Sequence, residues 1–290
     1  MTLREIKVTH ETRAFQDAFI DFVPRIFAGI GFGRWRDLGG WDDRYVAFSV
    51  MEGDRLVASA SRMQMEVVLR GTRRRAWQLT AVGTLPEWRK RGLQEQIMKR
   101  LIDDTPGDDL MFLFGNENVV DFYPRFGFER AQEWKFQAPW VAESVEPPLR
   151  VMDVTRAADR ELLLRIAHAA RPATEEFGVR DHGTILLWYC CNYMPNVLRH
   201  VPEHDAIIAV EQSGELLHVY DVLSAAPFDV PRFLRRTLSG PVARVEFGFT
   251  PERIWPEAAP AYEYTEGPLF VRGGLRLPDK PFKYPMLGQT

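Results

Sequence analysis

Apolar positions along the chain change their period several times. Phe15, Phe19, Phe22 and Ile26 recur at three- and four-residue spacing, which predicts a helix within 9–30, kinked or ended at Pro24. From Tyr45 the pattern becomes extended. Runs at 45–51 and 55–69 flank Glu52-Gly53-Asp54 and predict a β-hairpin. Arg70-Gly71-Thr72-Arg73-Arg74-Arg75 reads as a solvated turn into a third strand over 77–85. Leu93, Ile97, Met98, Leu101 and Ile102 then share one helix face, and Pro106-Gly107 stops that helix. The wholly apolar run 110–114 predicts a short, doubly covered strand. Asn116 can cap a second helix carrying Val119, Phe122, Tyr123 and Phe126, with Gly127 at its end. A strand near 130–137 completes this cycle.

Pro139, Pro147 and Pro148 mark a linker, and a second cycle follows. Its expected elements are a helix at 157–170, a helix or loop through 188–193, and strands at 206–210 and 216–223. A helix at 230–238 and a strand at 242–249 complete it. The order repeats that of the first half, which predicts an internal duplication. The expected division is residues 1–140, a linker at 141–150, and residues 151–290. The class is α+β, with a mostly antiparallel central sheet flanked by helices.

Composition narrows the function classes. The 290 residues are 46% apolar and 27% charged, ordinary for a globular chain. Lys and Arg number 37 against 40 Asp and Glu, a net charge of −3. That balance points away from nucleic acid and anionic membranes as partners. Cys190 and Cys191 are adjacent and suit neither a disulfide framework nor zinc. His168, His182, His200, His204 and His218 are scattered, so no metal site is expected. The longest stretch free of Asp, Glu, Lys and Arg, 182–198, contains two Asn, a His and a Pro and makes a poor membrane span. No leader is visible, and a cytoplasmic setting is expected.

The chemistry concentrates in 79–94. An extended run ends in Pro86-Glu87-Trp88-Arg89-Lys90-Arg91-Gly92 and opens directly into a helix. The first turn of a helix has unpaired N–H groups and partial positive charge, so such a turn suits an anion. Gly92 admits close backbone approach, and Arg89, Lys90 and Arg91 add charge. A plain capped turn is the competing interpretation.

Two motifs together resemble the GCN5-related N-acetyltransferase (GNAT) superfamily. Val82, Thr84, Pro86, Arg89 and Gly92 match its acetyl-CoA signature, with Thr84 in place of a valine. Asn116, Tyr123, Gly127 and Phe128 match its second motif. Gln94 departs from the small residue of that family. The resemblance implies a GNAT fold in two tandem copies, the second degenerate, as in the enhanced intracellular survival group. It implies acetyl-CoA as co-substrate, held by Val82, Gly83, Thr84, Arg89, Lys90, Arg91, Gly92, Leu93, Gln94 and Asn116. It implies acetyl transfer to a primary amine by direct attack, with Tyr123 as general acid. The acceptor is a small molecule or a peptide amine, and a homodimer is possible in this family. The strand before the turn lacks Asp and Glu, so the base is missing there. A non-catalytic acyl-CoA-binding or interaction protein of the same fold is the alternative. The loop with Phe32, Trp35, Trp41, Asp37, Asp42 and Asp43 lies where this family shapes its acceptor pocket, and aromatics with carboxylates would suit an organic cation.

The tail after Lys283 carries no charge and contains Tyr284, Met286 and Leu287. Each large apolar side chain gains about 1.5–3 kcal/mol on full burial, so a docked tail is expected. It either closes against the second half or enters the cleft between the halves. In the resembling group the terminal carboxylate serves as base, and Thr290 would be its counterpart.

Overall fold

The computed structural model describes residues 3–107, 109–116, 119–274 and 276–290. The first half runs β1 (Leu3–Val8), α1 (Arg13–Ile26), α2 (Gly33–Asp37), β2 (Tyr45–Glu52), β3 (Arg55–Leu69), β4 (Thr72–Thr84), α3 (Leu93–Asp103), β5 (Leu110–Phe114) and β6 (Glu129–Ala142). The second runs α4 (Ala157–Ala169), β7 (Phe177–Arg180), α5 (Gly183–Asn192), β8 (Leu198–Val201), β9 (Ala206–Ser213), β10 (Leu216–Leu223), α6 (Val230–Leu234), β11 (Val242–Phe247) and β12 (Ala259–Arg272).

Among the described residues all strands join one sheet, in the order β1-β2-β3-β4-β5-β12-β6-β11-β10-β9-β8, with β7 on the far end of β3. Most pairs are antiparallel. The exceptions are β4 with β5 and β10 with β11, which are parallel and each joined through a helix. The repeat is thus visible in pairing as well as in order. Yet the halves interlock. β12, from the end of the chain, lies between β5 and β6, and β7 pairs with Glu66–Leu69 of β3.

Several boundaries differ from expectation for definite reasons. Pro24 sits inside α1, two residues before its end. Arg73–Arg75 belong to β4, because Leu69 already pairs with Thr72 and the turn is that short. The linker expected from 141 begins inside β6, where Ala142 pairs with Val242. Pro139 is tolerated in that strand beside a register shift, where a missing donor costs little. The helix expected after Asn116 is not regular. Tyr123–Phe126 is one 3-10 turn, because Pro124 has no N–H for a longer helical ladder.

The larger apolar core gathers the first half, α4, α5 and the tail. Phe282, Tyr284 and Leu287 are buried in it. A second core surrounds Phe233, Phe247, Phe249 and Trp255. Lys283 is fully buried against Glu133, with Nζ 3.1 Å from both carboxylate oxygens. Burial pulls the Lys283 ammonium below its usual pKa, against the pull of Glu133. Glu133 also accepts the Tyr284 N–H at 2.8 Å, so the pair ties the tail to β6. Lys283→Met leaves a buried carboxylate without its counter-charge. It is expected to cost about 3–5 kcal/mol, read as a lower urea midpoint.

Candidate active site

β4 and β5 lie side by side from Ala76↔Leu110 to Leu79↔Leu113 and then separate. The cause is local. Between Thr80 and Gly83, β4 carries one residue more than β3, and Ala81 takes φ 48°. Such a bulge bends the strand and raises its twist. The two strands open around a cleft of about 760 Å³. Ala81, Val82, Gly83 and Thr84 line one side, and Phe114, Gly115 and Asn116 the other. The main chain of β4 beyond Leu79 therefore has no strand partner on its β5 side among the described residues.

The cleft runs to the start of α3. A 3-10 turn at Pro86–Trp88 precedes it, and Lys90 and Gly92 both take positive φ, 60° and 76°. Gly92 is the N-cap and supplies no side chain, so the first helical bond is Gln96 N–H to Gly92 O at 3.1 Å. The N–H groups of the first turn remain without an intrahelical acceptor. Arg89, Lys90 and Arg91 are exposed around this turn. Arg89 Nε donates to Thr84 O at 3.2 Å, and the Arg91 guanidinium stacks on Trp88 at 4.5 Å. Leu93 points into the core. The Gln94 side chain turns back to the strands, accepting from Thr84 Oγ1 at 2.9 Å and donating to Ser59 O at 3.3 Å. This larger residue is thereby drawn away from the helix start.

Tyr123 lines the same cleft and is 6% exposed. Phe122, Phe128 and Phe270 pack around its ring, with centroids 5.4, 6.2 and 5.6 Å away. Burial pushes its phenol up to about 12, so it holds its proton at neutral pH.

Thr290 lies in this cleft too. Its N–H donates to Gln78 Oε1 at 2.7 Å, and Gln78 Nε2 donates to Gly288 O at 2.9 Å. Gln78 was not among the expected site residues. The available signal was a lone amide in the otherwise apolar run Ala76-Trp77-Gln78-Leu79. A narrow apolar recess beside Thr290 is walled by Phe32, Trp35, Tyr45, Met63, Ile185 and Trp188.

The loop carboxylates take other partners. Asp37 is tied to Arg13 and Arg36, and Arg36 holds its carboxyl below the usual pKa. Asp42 accepts from Arg44 Nε at 2.8 Å. The aromatics of that loop pack together, with Trp41 and Tyr45 centroids 5.0 Å apart. Only Phe32 of them reaches the main cleft. His182 is buried and bonded to Asp221 at 2.6 Å. Cys190 is buried, which pushes its thiol up to about 12. Among the described residues no helix is long and apolar enough to cross a membrane.

Residues 8–131 match the profile of the acetyltransferase (GNAT) domain. No curated protein matches the sequence. Among solved structures, a conserved protein of unknown function from Enterococcus faecalis V583, described as a probable N-acyltransferase, superposes with a TM-score of 0.61 at 14% identity. The match covers 94% of this chain and 72% of that one. Eis1 from Mycobacterium abscessus gives 0.57 at 16% identity, covering 93% and 73%. A GCN5-related N-acetyltransferase from Kribbella flavida gives 0.55 at 18%, covering 93% and 70%. At these identities the structures attest the fold, over both halves of the chain.

Proposed function

Residues 8–131 being a GNAT acetyltransferase domain, we propose that the protein transfers an acetyl group from acetyl-CoA to a primary amine by direct attack. The observation that carries this reading is the parting of β4 from β5 into a cleft that ends at an uncapped helix. The main chain of Val82–Thr84 offers strand-like hydrogen bonds to an extended pantetheine arm. Arg89, Lys90, Arg91 and the amides following Gly92 suit a pyrophosphate, with Leu93 and Gln94 supplying main-chain N–H groups. Asn116 borders the arm from the β5 side. Acetyl-CoA supplies an activated thioester. A β4 N–H polarises its carbonyl and receives the oxyanion charge.

The acceptor loses a proton, its nitrogen bonds to the carbonyl carbon, and the C–S bond breaks. Tyr123 donates towards the leaving sulfur. β4 offers no carboxylate to take the acceptor's proton. In a chain that ends at Thr290, the α-carboxylate of that residue fills the role.

Isothermal titration with CoA tests the cofactor half of this reading. Binding is expected, and no heat at high micromolar protein would refute it. Gly92→Asp places a carboxylate against the pyrophosphate, and affinity should fall roughly 10-fold or more. Thiol release with polyamines, aminoglycosides, amino acids and lysine peptides tests the transfer itself. Binding of CoA without release on any amine would instead mark a non-catalytic acyl-CoA-binding protein.

A further inference from the structure

The second half contains a counterpart of the cleft, and protein occupies it. β10 and β11 run parallel and part after Val219↔Phe247. Tyr220 is the extra residue of a bulge against β9, as in β4. The following helix differs from α3. Asp229 caps α6, accepting the Arg232 N–H at 3.2 Å, so a carboxylate of the chain itself sits where an anion would. The recess beside that turn is about 70 Å³, a small fraction of the first-half cleft.

The tail occupies the opening between the strand ends. Met286 N–H donates to Gly248 O at 2.8 Å, and Thr250 N–H to Lys283 O at 3.1 Å. Lys283 N–H donates to Thr250 Oγ1 at 2.7 Å. The fit is close, because a Cβ on Gly248 would lie 3.2 Å from that of Met286. Beyond this point the tail crosses to the first half, where Gln78 makes its two bonds to Gly288 and Thr290. Gln78 is fully buried on a mostly apolar strand. A buried amide costs free energy unless both its ends are bonded. Here both are satisfied, and only in one register of the tail.

We propose that the second half is a holder for the tail. Its parted strands thread residues 282–288, and Gln78 catches the end so that Thr290 stands in the acyl-transfer cleft. Gln78 is a positioning residue. The catalytic consequence rests on the transferase reading above, whereas the threading stands without it.

The test uses the full chain with Gln78→Leu, and with Gly248→Val as a second variant remote from the cleft. A displacement of about 1 Å at a reacting group costs roughly 100-fold in rate. Both variants are therefore expected to lose about that factor in kcat with a good amine, while KM for acetyl-CoA and CoA affinity stay put. Hydrogen exchange over residues 284–290 should accelerate in both. Retained CoA affinity shows that each variant folds. Wild-type kcat in a variant whose tail amides exchange faster would overturn the positioning role. Tail amides exchanging at free-peptide rates in the unaltered protein would overturn the holder itself. If no amine raises thiol release in the unaltered protein, the transferase reading fails, and hydrogen exchange still decides the holder.

Discussion

Deleting Gln289 and Thr290 is expected to slow amine acetylation by roughly 10²- to 10⁴-fold, the range lost with a general base, while CoA affinity persists. The expectation follows from what surrounds the cleft. Gln78, Thr80, Val82 and Thr84 alternate along β4, and none is a carboxylate. The nearby loop carboxylates Asp37 and Asp42 are bound to arginines. Thr290 is held in the cleft through its own N–H. Appending one glycine after Thr290 is a finer version of the same test. It keeps every tail contact and moves the carboxylate by one residue. Steady-state rates with a saturating amine read both variants. A rate equal to the unaltered protein's, with only a lower melting temperature, would reduce the tail to a packing element.

Tyr123→Phe should also cost rate, and the pKa of the phenol sets the scale. Burial holds it at about 12. Outright transfer to an alkanethiolate, whose acid titrates near roughly 8.5, is uphill. Tyr123 therefore acts chiefly by donating a hydrogen bond to the sulfur as charge develops there. The expected loss is at the lower end of acid catalysis, roughly 10²-fold in kcat, with acetyl-CoA binding unchanged. Because the functional form is the protonated one and the pKa is raised, Tyr123 imposes no alkaline decline below about pH 10. A pH profile of kcat checks this directly. Full turnover in Tyr123→Phe with a good substrate would remove Tyr123 from the mechanism.

The repeat order and the anion-suited turn were legible in the sequence because each depends on neighbours along the chain. A helix face needs residues three and four apart, and the turn before α3 needs Pro86 through Gly92 in succession. The 110–114 and 216–223 runs became strands with those bounds, since a wholly apolar run has few alternatives to burial. Where local chemistry conflicted with the period, the period misled. Phe122, Tyr123 and Phe126 have helical spacing, but Pro124 allows them only a 3-10 turn. β12 has the opposite history. Its sequence Ala-Pro-Ala-Tyr-Glu-Tyr-Thr-Glu-Gly-Pro reads as a loop, and it is a strand because β6 and β5 offer it hydrogen-bonding partners. Tail burial followed from composition, since Phe282, Tyr284 and Leu287 have most to gain by leaving water. Its path did not. Thr290 and Gln78 are 212 residues apart, and Lys283 and Glu133 are 150 apart. No periodicity links such positions. Their meeting depends on two parted strand pairs in one interlocked sheet, which exists only once the chain has folded.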